Sequence, residues 1–164
     1  MLRDKNLIPL SRQHQHALAL CVRMERASPV DRTELAAWQK EIVEHFRTEI
    51  GTHFTAEEQV VFPVARRFTA LVALVEDLLS DHAWLRKTFA EAETGSMIAK
   101  DLPVFAHRLS AHIRKEERQL FQRLQQLMSP EELADLGRRL TDALKESIRT
   151  CILPTEATKL RASK

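Results

Sequence analysis

Six residues of this chain can share one chemistry: His14, His53, Glu57, His82, His112 and Glu116. Each lies on an apolar stripe. His14 continues the line Leu10, Ala17, Leu18, Cys21, and His53 and Glu57 continue Phe46 and Ile50. His82 lies between Leu78 and Leu85, and His112 and Glu116 lie between Leu109 and Leu120. Spacings of three and four share one helix face, so four helices each point an imidazole inward, and two also point a carboxylate inward. A buried unpaired carboxylate is strongly destabilising, and two at one level are worse. A shared cation relieves both, taking the carboxylates as counter-charges and the imidazoles as ligands.

The spacing points the same way. His45–Glu49, His53–Glu57 and His112–Glu116 are His-x-x-x-Glu pairs, and at i, i+4 both side chains reach one centre. The segments from His53 to Phe62 and from His112 to Phe121 both read His-x-x-x-Glu-Glu-x-x-(Val/Leu)-Phe, 59 residues apart. Two equivalent half-sites facing each other across a bundle is the physical meaning of that repeat. His45–Glu49 reads as an ion pair beside the main pair or at the bundle mouth. His16, towards Leu20 and Met24, and His107 read as surface positions or as residues just behind the ligands, and Cys21 as a buried thiol.

Imidazoles with carboxylates and no thiolate suit iron or manganese, with zinc as a substitute. No Glu stands three residues before any His, which excludes the Glu-x-x-His pattern of ferritin-like di-iron sites. His-Glu-x-x-His is absent too, excluding the common zinc-protease pattern.

The elements that must position these residues are helices. Helix one is read over 12–27, with Ser11 as its N-cap and Ser28-Pro29 as its stop. Asp31 and Glu34 have capping-box spacing for a long second helix, which Gly51 weakens and Pro63 kinks or ends near residue 62. Helix three runs from about Thr69 to Thr94, with Gly95 as its stop, and Asp101 caps helix four. Ser129-Pro130-Glu131-Glu132 starts a fifth helix carrying Leu133, Leu136, Leu140, Leu144 and Ile148. The expected fold is all-α: an up-down-up-down four-helix bundle with an additional C-terminal helix, packed outside or offering a partner surface. One domain is expected over 1–153, with its core at 8–128 and the extra helix at 130–152; residues 154–164 form a polar tail expected to be disordered.

Composition excludes several alternatives. Three Gly in 164 residues argue against an all-β fold and a phosphate-cradling loop. Lys and Arg total 25 against 23 Asp and Glu, a net charge of +2, too balanced to announce nucleic acid or an anionic membrane. Two distant cysteines, Cys21 and Cys151, make no disulfide framework and fit a reducing compartment. No apolar run approaches the roughly 18 residues of a membrane span. A cytoplasmic protein is the expectation.

The chain resembles the hemerythrin-like (HHE cation-binding) family over residues 8–128. The carrying motifs are Leu10-Ser11-Arg12-Gln13-His14, His53-Phe-Thr-Ala-Glu57-Glu58 with Phe62-Pro63, Asp81-His82, and His112-Ile-Arg-Lys-Glu116-Glu117 with Leu120-Phe121. The resemblance implies a non-haem di-iron centre in the bundle. Glu57 and Glu116 would bridge the ions, His14 and His53 would hold one, and His82 and His112 the other. The first ligand is His14 or His16, and the apolar stripe favours His14. Oxygen-carrying hemerythrins take a fifth His from a His-x-x-x-His pair on the third helix; here Leu78 and Arg86 stand four residues either side of His82.

The resemblance therefore implies a protein that binds or reacts with oxygen, peroxide or nitric oxide, in sensing or in the response to oxidative or nitrosative stress. Two alternatives stand beside it: iron storage or delivery, and a helical interaction module with a vestigial pocket. No acid, nucleophile or substrate pocket is legible apart from the metal, so binding or sensing is expected before turnover. The expected partners are a small diatomic ligand or peroxide, and a second copy or another protein at the C-terminal helix.

Overall fold

The computed structural model describes residues 2–152, with side chains described to residue 145. Five helices account for nearly all of it, and no strand occurs among the described residues. We label them α1 (Ile8–Ala27), α2 (residues 32–65), α3 (Thr69–Thr94), α4 (residues 101–127) and α5 (Pro130–Ile152). The polar tail at 154–164 lies outside the described residues.

Helix ends follow the local chemistry with two exceptions. Asp31 caps α2 through the N–H groups of Thr33 and Glu34, both at 2.8 Å, and Glu34 returns the bond to the Asp31 N–H. Such a cap contributes about 1 kcal/mol. Ser129 and Glu132 exchange the same pair of bonds at the start of α5. Gly95 ends α3 at φ 72°, a left-handed conformation that favours glycine, and the N–H of Ser96 closes back on the Glu91 carbonyl. The first exception is Ser11. Helix α1 starts earlier, at Ile8, because Pro9 fits a first turn, and the Ser11 hydroxyl donates to Glu117 on α4 at 2.7 Å. The second is Asp101, which lies in the first turn of α4 and accepts the Ile98 N–H.

Helices α2 and α4 are not plain α-helices. Glu57–Val61 and Glu116–Leu120 are π-helical, so the N–H of Phe62 reaches back five residues to Glu57, and that of Phe121 to Glu116. The distortion thus repeats at the same 59-residue offset as the sequence motif. Pro63 does not end α2, which continues to Ala65. The proline sits just past the register change, where the α-ladder is already interrupted. A third π turn, Phe46–Ile50, precedes Gly51, where an added Cβ would lie 3.1 Å from the Phe46 carbonyl oxygen.

The core has two apolar halves. One gathers Leu7 just before α1, Leu10 from α1, Val61 and Phe62 from α2, Leu71 and Leu78 from α3, and Leu120 and Leu124 from α4. The other gathers Leu20 and Met24, Ile42 and Phe54, Leu85 and Phe89, and Phe105 and Leu109 from the same helices. Passing from the first half to the second, residue numbers rise along α1 and α3 and fall along α2 and α4. That alternation is the up-down-up-down bundle. Helix α5 buries Leu133, Leu136 and Leu140 in the first half, so these leucines are taken up within the chain. No described helix is long and apolar enough to cross a membrane.

Candidate metal centre

Between the two apolar halves lies a polar layer. Its members are His14, His53, Glu57, His82, His112 and Glu116, none more than 4% exposed. All six sequence-predicted residues meet there. The two glutamates are fully buried. His14 belongs to the layer, whereas the His16 side chain is 65% exposed and bonded to Glu49. His107 is exposed.

The layer divides into two groups that share both carboxylates. His14, His53, Glu57 and Glu116 form one, and Glu57, His82, His112 and Glu116 the other; within each, one donor atom per residue lies within 4.8 Å of the rest. The ring centroids of His14 and His53 are 4.6 Å apart, and those of His82 and His112 are 4.7 Å apart. Glu57 turns Oε1 to His53 Nε2 at 3.1 Å and Oε2 to His82 Nε2 at 3.4 Å. Glu116 sets Oε2 between His14 Nε2 at 3.1 Å and His112 Nε2 at 3.3 Å. Each carboxylate therefore faces both halves.

What fixes the imidazoles lies outside the layer. His14 Nδ1 meets a Glu117 oxygen at 2.7 Å, and His53 Nδ1 meets the Gln13 amide oxygen at 2.8 Å. His82 Nδ1 meets a Glu58 oxygen at 2.8 Å, and His112 Nδ1 faces Asp81 at 3.5 Å, the loosest of the four. These acceptors form a closed ring around the bundle: α1 supplies one to α2, α2 to α3, α3 to α4, and α4 back to α1. Each acceptor is the sequence neighbour of a residue in the layer. Arginines brace two of them, Arg3 on Glu117 and Arg86 on Glu58, and Lys115 reaches Asp81 at 2.8 Å.

The ring decides the protonation pattern. The partners of His14, His53 and His82 accept, so these Nδ1 atoms carry the hydrogen and their Nε2 atoms turn a bare lone pair inward, while the His112 Nδ1 faces the Asp81 carboxylate without a hydrogen bond. Three imidazole lone pairs, the His112 ring and two carboxylates then face one another. His14 Nε2, His53 Nε2 and all the oxygens of Glu57 and Glu116 are buried without a hydrogen bond, although several lie within ion-pair distance. His82 Nε2 and His112 Nε2 stand 3.1 Å apart, close to the separation of adjacent ligands around an ion with bonds of about 2.1 Å. A set of acceptors closed off from water fits cations.

Absent a cation, protons must serve. Burial pushes the His14 imidazole down, but Glu116 and Glu117 outweigh it and raise it to about 10. Burial likewise opposes Glu57 and Glu58 at His82, which rises to about 9. Burial pushes Glu57 up, yet His53 and His82 hold its carboxyl well below the ordinary range. Outside the layer, the bond to His82, with Arg86, takes Glu58 to about 2. Burial opposes the same fall at Glu117, where His14 and Ser11 prevail and bring it to about 2.

A cavity with room for about one water-sized molecule opens beside the layer. Gln13, His14, Glu49, His53, His112 and Glu116 line it together with the apolar Ala17, Ile50, Phe54, Leu109 and Ile113. The two positions flanking His82 supply no ligand. Leu78 is buried in the apolar core, and Arg86 is engaged with Glu58.

Sequence patterning found the layer but missed the ring of Gln13, Glu58, Asp81 and Glu117. The doubled Glu-Glu of the repeat was its one visible signal.

Compared with known proteins, the chain matches the family described as Hemerythrin HHE cation binding domain over residues 9–124. No curated protein and no solved structure matches it.

Proposed function

The chain belongs to the hemerythrin HHE cation-binding family, and on that premise we propose that its polar layer holds two iron ions and binds or reacts with oxygen, peroxide or nitric oxide. His14 and His53 would hold one ion, His82 and His112 the other, and Glu57 and Glu116 would be shared. Manganese or zinc are substitutes the same donors accept. Bound iron would supply exchange of electrons with a small ligand. The chain supplies the rest. The outer acceptors orient each imidazole, the apolar halves keep water from the layer, and the cavity admits a molecule of the right size.

One observation carries this reading: buried imidazole nitrogens and carboxylates face one another across the layer, and acceptors behind His14, His53 and His82 hold three of the four imidazoles with Nε2 inward. A vestigial pocket has no need of that arrangement, because unpaired buried polar groups destabilise the fold. The cavity beside the His14/His53 pair supports a small ligand over a large one.

Iron analysis with absorption spectra of the anaerobically loaded protein, before and after air, tests the reading. Two irons per chain and charge-transfer bands that appear in air are expected. His53→Ala and Glu116→Ala should lose iron; full stoichiometry in both would refute the assignment. Chelator release separates reaction from delivery: slow release accords with a reactive centre, fast release with an ion that is handed on.

A further inference from the structure

A second imidazole–carboxylate group stands outside the polar layer. His16 on α1 and His45 on α2 both face Glu49 on α2, which lines the cavity. His16 Nδ1 lies 2.9 and 3.3 Å from the two Glu49 oxygens. His45 Nε2 lies 3.9 Å from Glu49 and is buried with no hydrogen bond. An exposed ion pair accounts for His16 and Glu49 but leaves that His45 nitrogen without a purpose. Two imidazoles and a carboxylate are a donor set for a divalent first-row metal.

The position of the group is as informative as its composition. Glu49 touches the exposed His16 on one side and lines the cavity that leads to His53 and His14 on the other. Between them the walls are largely apolar, and a hydrated ion that sheds water there finds nothing to replace it. Donors at both ends shorten that passage. The backbone is also distorted here beyond what the ligand repeat requires. The π turn Phe46–Ile50 carries Glu49, while the positions 59 residues on, 105–109, are ordinary α-helix. Isolated π turns cluster at functional sites.

We propose that His16, His45 and Glu49 form an outer divalent-metal site at the mouth of the cavity, where ions are held before they pass to the buried layer. The loading role rests on the buried pair of ions proposed above; the outer site itself does not.

The test is a cobalt(II) titration of untagged, metal-free protein, read by calorimetry and visible absorption, with stopped-flow loading at limiting cobalt. Wild type should take two tight ions and a third, weaker one. His16→Ala/His45→Ala should lose the third ion, keep the two-ion spectrum and load several-fold more slowly. His53→Ala/Glu116→Ala, with the buried layer disabled, should keep the weak ion. Two ions and no third in wild type would overturn the outer site and leave the buried centre standing. A weak ion that survives in His16→Ala/His45→Ala would overturn the assignment to these residues. Loss of the third ion with an unchanged loading rate would overturn the loading role. A weak ion without tight ones would uphold the outer site and refute the buried pair.

Discussion

The two halves of the polar layer have the same ligands and different surroundings. His14 and His53 are backed by Glu117 and by the neutral amide of Gln13. His82 and His112 are backed by two carboxylates, Glu58 and Asp81. His82 is also covered, with Phe54 stacked at 3.8 Å between ring centroids and Phe62 at 5.4 Å. The cavity is lined by His14, His53 and His112, and His82 does not line it. An anionic acceptor behind an imidazole makes it a stronger ligand. The same repeat thus yields two halves with the same ligand types and unequal backing and cover. Repetition sets the ligand types, and the neighbours set the strength and access of each half.

The comparison can be broken first at the residues the halves share. Glu116→Ala should abolish tight binding in both halves, because Glu116 faces His14 and His112 together. Retention of one tight ion, measured by metal analysis after gel filtration, would show that the halves are independent. Metal removal is the next largest effect. Free metal about a thousandfold above Kd stabilises a fold by about 4 kcal/mol, so calorimetry should show Tm falling by roughly 10 °C on chelation.

Unequal backing predicts unequal binding. Asp81→Asn should weaken the His82/His112 half by about 10- to 100-fold, and Gln13→Glu should strengthen the other half, narrowing the gap between two stepwise constants. Equal constants in wild type, measured by calorimetric titration, would remove the distinction.

The pH dependence of stability separates metal-free from metal-loaded protein. His14 and His82 are raised to about 10 and about 9 when protons fill the layer. A raised imidazole contributes fully below its ordinary value of 6.5 and loses that contribution as pH climbs through the raised one. Metal-free protein should therefore lose Tm from pH 6.5 up through about 9 for His82 and about 10 for His14. Metal must displace those protons, so the stabilisation by metal should grow over the same range. Tm against pH, with and without metal, reads both slopes. The smallest effect is Gly51→Ala. The added methyl crowds the Phe46 carbonyl, should cost about 1 kcal/mol and should disturb the cavity edge while leaving metal stoichiometry intact.

The layer was legible because helical periodicity betrays polar residues on an apolar stripe. His53, Glu57, His112 and Glu116 were marked twice, by stripe and by repeat. His14 was harder, since His16 lies only two residues away; the apolar line through Leu10 and Ala17 favoured His14, and the structure places His14 in the layer. The acceptor ring was not legible. Gln13, Glu58, Asp81 and Glu117 stand beside layer residues in sequence and point sideways, so their partners lie on other helices, 24 to 103 residues away. The π turns carry no local signature either, and recurrence at the repeat offset ties only Glu57–Val61 and Glu116–Leu120 to the site.

Sequence alone determined that four helices would each turn an imidazole inward and that two would add a carboxylate, because periodicity and spacing are properties of one helix. It determined the caps at Asp31, Gly95 and Ser129 for the same reason. Only the tertiary structure decided how the six residues pair into two halves, which acceptor stands behind which imidazole, and which imidazoles line the cavity. Those features depend on the rotation and neighbours of each helix in the bundle, and a single helix does not encode its neighbours.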